Sequence, residues 1–382
     1  MMRSNVHRPS VEFVPRETDP RSGSQVTQLT SGTMIGANLY CEVRYMDAES
    51  RYVMHTRGET PQGPFELWRA DLQRQWSEPV AEHVEERHGA AVSPDQRYFC
   101  IASARIDLPV TIIRVEMATL LRERIVLDDA PRIRSLGTLA PDGRTYIYAC
   151  RLEPQLFGIV RADLSDGTWE VIHTDPEIPN AHVQIEPGRG ELCLIQHNRG
   201  CIVDERGHMT RNVGEQGATL YVIDMEGNPT RLPIGLPNTP RCQGHEAWMG
   251  ESGEVLFTVW HAEEREALRR GNLLAVRPGD DAARVVSGGH VYIHPNASRD
   301  GRFFVADTRA DGHPIVVGST KTGRSRVLCD SGASIGRPQY THPHPYFSPD
   351  NRRVIFNSDR DGIPRPYAAS VPEGLLEELE AG

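Results

Sequence analysis

Short runs of β-forming residues alternate with polar turn signals along most of the chain. The turns share proline, aspartate and glycine, as in Ala140-Pro141-Asp142-Gly143 and Ser298-Arg299-Asp300-Gly301. Proline presets φ and glycine accepts a positive φ, so such clusters predict tight turns. Each turn is followed by a run rich in β-branched and aromatic residues, for example Val255-Leu256-Phe257-Thr258-Val259. Apolar runs of this length between turns are typical of β-strands.

The turn-and-strand unit recurs seven times. Its copies begin at Met46, Ser93, Ala140, Glu186, Glu251, Ser298 and Ser348. Successive copies are separated by roughly 46–50 residues, with one longer interval of about 64 between the fourth and fifth, which is the spacing of propeller blades. Helical periodicity is rare, and 34 glycines and 28 prolines favour many short strands. We therefore predict an all-β chain in which residues 1–382 form a single seven-bladed β-propeller domain.

The two ends of the chain are expected to complete the ring. After Asp350, too little chain remains for four strands before the tail begins. The β-forming segment at residues 25–30 can supply the outer strand of the seventh blade, and such closure protects the sheet edges. A short N-terminal arm precedes this strand. Helical segments are predicted at residues 262–269, as an insert, and at residues 373–378, in the C-terminal tail.

Net charge and cysteine content narrow the classes of partner and compartment. The net charge of −10, without a stripe of lysine and arginine, argues against nucleic acid, although a local cluster of cations can still bind an anionic ligand. Seven scattered cysteines without a Cys-x-x-Cys pair indicate buried thiols in a reducing compartment. Residues 1–7 carry no apolar signal region, and no run approaches membrane-spanning length. We expect a cytoplasmic protein without a membrane partner.

Histidines occupy matching places in several repeats. His182, His245, His294 and His344 stand at the start of the inner strand in four successive repeats, and His88 holds nearly the same place in the second. Inner strands line the central channel of a propeller, so these imidazoles are expected to form a partial ring around its mouth. For His88 and His182 the simpler interpretation is a hydrogen-bonded structural residue, and both interpretations stay open.

A local His-x-His adds a second pattern. His342 and His344 are two residues apart in an extended segment, so their side chains project from the same face. His294 holds the equivalent place in the neighbouring repeat, and three imidazoles therefore converge. Neutral imidazoles suit Mn, Fe, Co, Ni, Cu or Zn, whereas Mg and Ca prefer oxygen ligands. The sequence predicts a transition-metal site at these three histidines.

These residues make the chain resemble the oligogalacturonate lyases, a family of cytoplasmic seven-bladed propellers that cleave short pectin fragments by β-elimination. The stretch at residues 339–366 resembles the final blade of the family, and residues 294–307 resemble the blade before it. Cys242-Gln243-Gly244-His245-Glu246 is similar to the segment that carries the catalytic histidine of the family. The resemblance implies that His245 is the catalytic base. It also implies that a manganese ion is bound by four side chains: His294, Gln339, His342 and His344.

The implied chemistry is proton abstraction from C5 of a uronate, next to its carboxylate. A divalent metal on that carboxylate neutralises charge, and a histidine with a pKa near neutrality can take the proton. The expected substrate is therefore a small acidic oligosaccharide. The family places an arginine where this chain has Thr219, and Arg199 and Arg211 are the nearest cations in the adjoining loop.

Two hypotheses from other classes remain at this stage. A non-catalytic interaction propeller of the TolB kind would keep the histidines for structure or for a stabilising metal. Another metal-dependent sugar reaction, such as epimerisation, also begins with proton abstraction beside a carbonyl. Propellers host many functions, so the fold alone does not separate these hypotheses. The oligomeric state is not indicated by the sequence.

Overall fold

The computed structural model describes residues 10–382 and is built almost entirely from antiparallel β-sheet. Seven sheets of four or five strands follow one another along the chain. Innermost strands of successive blades contact each other between blades 2 and 3, 3 and 4, 5 and 6, and 6 and 7. The predicted seven-bladed β-propeller is confirmed. Residues 1–9, which include the segment expected to carry no signal region, lie outside the described residues.

The first three blades are regular meanders in which each strand pairs with the next. The strands of blade 1 are Ile35–Ala37, Tyr52–Gly58, Phe65–Asp71 and Trp76–Val84, with Ser10–Val11 added outside. The strands of blade 2 are Ala91–Val92, Tyr98–Ala102, Val110–Glu116 and Arg122–Leu127. The strands of blade 3 are Ile133–Leu139, Thr145–Glu153, Leu156–Asp163 and Trp169–Asp175.

Blades 4 to 6 follow the same plan, with a small hairpin and a helix inserted. The strands of blade 4 are Gln184–Ile185, Leu192–His197, Thr219–Asp224 and Pro229–Arg231. The inserted hairpin contains Ile202–Val203 and Met209–Arg211. The strands of blade 5 are Cys242–Trp248, Val255–Val259, Leu273–Val276 and Arg284–Ser287. The strands of blade 6 are Tyr292–Ala297, Phe303–Thr308, Pro314–Ser319 and Ser325–Asp330.

Blade 7 is completed by the N-terminal region, as predicted. Its last C-terminal strand, Arg365–Ser370, pairs with Gln25–Gln28, and Val14–Thr18 adds a fifth strand outside. Towards the axis it contains Arg353–Ser358 and Tyr346–Phe347. Hydrogen bonds between the two ends of the chain therefore close the ring.

The apolar core is divided into clusters that lie between neighbouring sheets. Between blades 6 and 7, buried Val305 and Phe356 pack together with Leu376 of the C-terminal helix. This helix, Leu375–Ala381, and the inserted helix Glu264–Arg270 confirm the two predicted helical segments within one to three residues. Short 3₁₀ turns occur at Gly250–Ser252 and Gln339–Thr341. Among residues 10–382, no helix has both the length and the apolar composition needed to cross a membrane.

Candidate metal centre and catalytic site

Local irregularities in the innermost strands of blades 5 and 6 position two of the histidines. In blade 5 the pairing moves from Cys242 opposite Val259 to Glu246 opposite Phe257, so the segment that contains His245 bulges out. In blade 6 the pairing between the strands shifts in the same way around His294. β-Bulges redirect side chains and are common beside active sites. The two bulged segments bring the ring centroids of His245 and His294 to 4.4 Å from each other.

A different backbone feature positions His344 in blade 7. Its φ is +43°, in the left-handed region that non-glycine residues seldom adopt. The strand Tyr346–Phe347 begins two residues later. His182 has a φ of +47° and also stands two residues before the innermost strand of its blade. Strained backbone of this kind is retained where the surroundings enforce it, and it concentrates at functional sites.

The structure brings His294, His342 and His344 together, as the sequence predicts. Ring centroids are 4.4 Å apart for His294 and His344, 5.4 Å for His294 and His342, and 5.5 Å for His342 and His344. One ring nitrogen from each residue lies within 4.8 Å of the others. His294 and His344 are buried, and His342 is half-buried. Three ring nitrogens at this spacing can act as ligands to a single ion.

The hydrogen bonds around the cluster leave one nitrogen of each ring available. The Asp307 carboxylate accepts a bond from His294 Nδ1 at 2.9 Å, which leaves Nε2 with its lone pair. His342 Nε2 donates to the Gly336 carbonyl at 3.0 Å, and its buried Nδ1 has no partner in the described part of the chain. Neither ring nitrogen of His344 has a partner among residues 10–382. Buried polar atoms are rarely left unpaired, so these residues fit a metal ion.

The protonation state of the cluster favours ligation. Burial lowers the pKa of His342 and lowers the pKa of His344 well below its ordinary value, and the neighbouring histidines add to both shifts. The rings of His342 and His344 are therefore neutral at neutral pH, which is the form of histidine that binds metals. Gln339 begins the 3₁₀ turn just before His342 and lines the adjoining cavity. Its role as a fourth ligand stays a prediction.

His245 lies between the cluster and a cavity of about 520 Å³ that opens at the mouth of the channel. Its ring centroid is 4.4 Å from that of His294, and its buried Nδ1 has no hydrogen-bond partner in the described chain. Burial and the neighbouring histidines lower the pKa of His245 well below its ordinary value. The ring is therefore neutral at neutral pH and has a free lone pair that can accept a proton.

Part of the expected ring of histidines lines this cavity, whereas His294 and His344 are not among its lining residues. His88, His182 and His245 all line it, and Leu136 takes the matching place in blade 3. His88 is half-buried and its Nδ1 lies 3.5 Å from Glu85, which agrees with a simple structural role. His182 instead pairs with the buried carboxylate of Glu42.

Four arginines line the same cavity: Arg87, Arg134, Arg241 and Arg309. Within residues 10–382, no carboxylate forms an ion pair with any of the four. Arg309 lies over the Trp260 ring at 4.7 Å, and Arg87 over Tyr40 at 5.7 Å. An unpaired cluster of cations in a chain with net charge −10 is suited to an anionic ligand.

These four arginines were not predicted from the sequence, and the two arginines of the loop before Thr219 serve other purposes. Arg199 donates to the carbonyls of Gln216 and Gly217, and Arg211 donates to the carbonyl of Gly200. These bonds hold the loop that carries the inserted hairpin. The four cavity arginines lie on separate blades. A pattern in the sequence could have identified three of them. The arginines of blades 2, 3 and 5 stand one to four residues before the position of the aligned histidine.

Thr219 stands where the resemblance to the lyases leads one to expect an arginine, and it has a local structural role. Its hydroxyl donates to the Ile234 carbonyl at 2.6 Å, within blade 4. The side chain is not among those that line the cavity. The cationic surface of the site is therefore built from other positions of this chain.

Comparison with known proteins agrees with this architecture. No family model matches the chain. An oligogalacturonide lyase from Pectobacterium atrosepticum is 42% identical over 397 aligned residues, which cover 94% of this chain and 96% of that protein.

Two solved structures share the fold at 18% identity. An oligogalacturonate lyase in complex with manganese has a TM-score of 0.74 and covers 96% of this chain and 98% of its own. An oligogalacturonate lyase from Vibrio parahaemolyticus has a TM-score of 0.75 and covers 96% and 99%. The identity to the Pectobacterium protein extends over nearly the whole of both chains, and this chain belongs to the oligogalacturonide lyase family.

Proposed function

We propose that the protein is a metal-dependent lyase that cleaves short uronate-containing oligosaccharides, such as oligogalacturonides, by β-elimination. The observation that carries the proposal is the position of His245, a neutral imidazole 4.4 Å from a ring of the three-histidine cluster and open to a cavity lined with arginines. Membership of the oligogalacturonide lyase family supports the same activity.

The metal site of this proposal comprises His294, His342 and His344, with Gln339 as a further ligand. Three nitrogen donors are compatible with several divalent transition metals. Manganese is the first choice because it is the ion named for the structurally similar lyase. A bound divalent cation supplies positive charge that offsets the negative charge developing on a substrate carboxylate.

The reaction is carried by residues around the cavity. His245 accepts the C5 proton of the uronate at a ring nitrogen. The electrons of the C5–H bond form the C4–C5 double bond, and the bond between C4 and the glycosidic oxygen breaks. The arginines bind carboxylates of the oligosaccharide, since a guanidinium matches a carboxylate in two-point geometry. Asp307 holds the tautomer and orientation of His294.

The products separate this reaction from its alternatives. Incubation of the protein with digalacturonate should yield galacturonate and an unsaturated uronate that is lighter by one water than a hydrolysis product. An epimerase would give a product of unchanged mass and length. A non-catalytic propeller would leave the sugar intact, and either of these two results would contradict the proposal.

The cavity arginines predict a binding defect in Arg134→Ala. Loss of one charge-assisted contact should raise KM about tenfold and leave kcat within about twofold, because the contact is present in both ground state and transition state. Initial rates across a range of oligogalacturonate concentrations measure both constants. Arg132→Ala is the matched control, since Arg132 donates to the carbonyls of Ile106 and Leu108 and lies outside the cavity. Equal KM values in the two variants would contradict the assignment.

The carboxylate behind His294 predicts a defect in metal affinity. Asp307 is fully buried and accepts bonds from both the ring and the backbone nitrogen of His294. Asp307→Asn should weaken metal binding by roughly 10- to 100-fold, the usual cost of losing the partner of a ligating histidine. Titration with manganese, followed by calorimetry, measures the affinity. The exposed Asp311 offers the control Asp311→Asn, and an unchanged affinity in Asp307→Asn would argue against His294 as a ligand.

We also propose a cytoplasmic location. All seven cysteines are buried and free, although the chain is long enough to form several disulfides. Free thiols are maintained in a reducing compartment.

A further inference from the structure

A second pair of titratable residues lies at the mouth of the channel, outside the three-histidine cluster. His182 of blade 4 directs Nδ1 to the carboxylate of Glu42, which follows the innermost strand of blade 1 in the chain. The His182 side chain is 13% exposed and that of Glu42 only 3%. A carboxylate on Nδ1 fixes the ring so that Nε2 is its functional atom. No hydrogen bond within residues 10–382 uses Nε2.

His182 borders the same cavity as His245 but lies apart from the metal cluster. Both residues line the cavity from adjacent blades, whose innermost strands are linked where Gln184 donates to the Glu246 carbonyl at 3.1 Å. The Tyr40 ring contacts both His182, at 5.5 Å, and His344, at 4.3 Å. The left-handed backbone at His182 matches that of His344. The fold therefore holds His182 in a constrained position that faces the substrate space.

The surroundings of His182 favour the protonated form of its ring. Burial disfavours the charged form of His182, but the Glu42 carboxylate outweighs it and the pKa of His182 is raised. Glu246 adds to this effect and Arg87 opposes it. A protonated histidine beside the substrate space is placed to act as a general acid.

We propose that His182 is the general acid of the lyase reaction and that Glu42 is its positioning residue. The inference rests on the proposed function. As His245 takes the C5 proton, the C5–H electron pair becomes the C4–C5 π bond and the C4–O pair leaves with the glycosidic oxygen. Nε2–H of His182 gives its proton to that oxygen. His182 ends neutral and His245 protonated, and proton exchange with water restores both.

A substrate whose leaving group needs no proton tests this role. In the methyl glycoside of 4-deoxy-4-fluorogalacturonate the C4–O bond is replaced by C4–F, and fluoride departs unprotonated. His182→Gln should lower kcat/KM for digalacturonate about 100-fold, in the range of general acid catalysis, and should lower it less than about fivefold for the fluoro compound. Glutamine can still donate to Glu42, so the variant keeps a bond to the buried carboxylate.

Controls distinguish this role from a structural one and from failure of the proposed function. His208→Gln, on the exposed hairpin with a side chain 74% exposed, should match the wild type on both substrates. Metal content should be equal in His182→Gln and wild type. Equal losses on both substrates, or a loss on neither, would overturn the inference and leave the lyase activity standing. A wild-type protein that cleaves neither substrate would overturn the proposed function and the inference together.

Discussion

Replacement of His245 by alanine should lower kcat for digalacturonate cleavage about 10⁴-fold, the upper end of what a general base contributes. The effect is large because deprotonation of carbon is slow and no other neutral histidine among the described residues lies between the cavity and the cluster. The variant should retain its metal, since His245 is not one of the three converging ligands. Single-turnover rates and metal content in the same sample measure both quantities.

The matched control is His208→Ala, which removes an exposed imidazole that does not line the cavity. It should keep the wild-type rate. Full activity in His245→Ala would show that another group takes the C5 proton. Loss of metal together with activity would show that His245 is a ligand, which is a different role from the one assigned.

Replacement of His342 by alanine should remove both metal and activity. His342 contributes one of the three nitrogen ligands. Loss of a residue that hydrogen-bonds to a ligand already lowers metal affinity by roughly 10- to 100-fold, so loss of a ligand itself should lower it by at least about 100-fold. A bound metal provides several kcal/mol of transition-state stabilisation, which corresponds to roughly 10³-fold in rate. The ring is half-buried and His342 lies outside the strands of blade 7, so its removal should leave the blade intact.

Two readouts separate this variant from His245→Ala. Elemental analysis after dialysis should find metal in His245→Ala and little in His342→Ala. Excess manganese should restore part of the activity of His342→Ala and none of that of His245→Ala. Wild-type metal content in His342→Ala would place the ion elsewhere.

Repetition made the fold predictable from the sequence. Seven similar turns at blade spacing define the strands, and the shortage of chain after Asp350 requires the outer strand that residues 25–28 provide. Register made the three-histidine cluster predictable in the same way, because His294 and His344 hold equivalent places in adjacent blades. The extent of the domain, residues 1–382, and the role of Gln339 stay predictions.

Features that depend on three-dimensional contacts were not predictable. Glu42 and His182 are separated by 140 positions in the sequence, and only the closed ring brings a blade 1 carboxylate to a blade 4 histidine. The cavity arginines come from separate blades, so no stripe of cations appears in the chain. The bulge around His245 is also invisible in the sequence, because it arises from pairing with the adjacent strand.

Metal-dependent β-elimination is tested most directly by the ultraviolet absorbance of the conjugated uronate product while the wild-type protein reacts with oligogalacturonate. The same sample is measured as prepared with manganese, after chelation, and after manganese is restored. Metal-dependent β-elimination predicts a rise in absorbance that stops on chelation and returns with the metal. No rise from a metal-loaded protein, or a rise unaffected by removal of the metal, would contradict metal-dependent β-elimination.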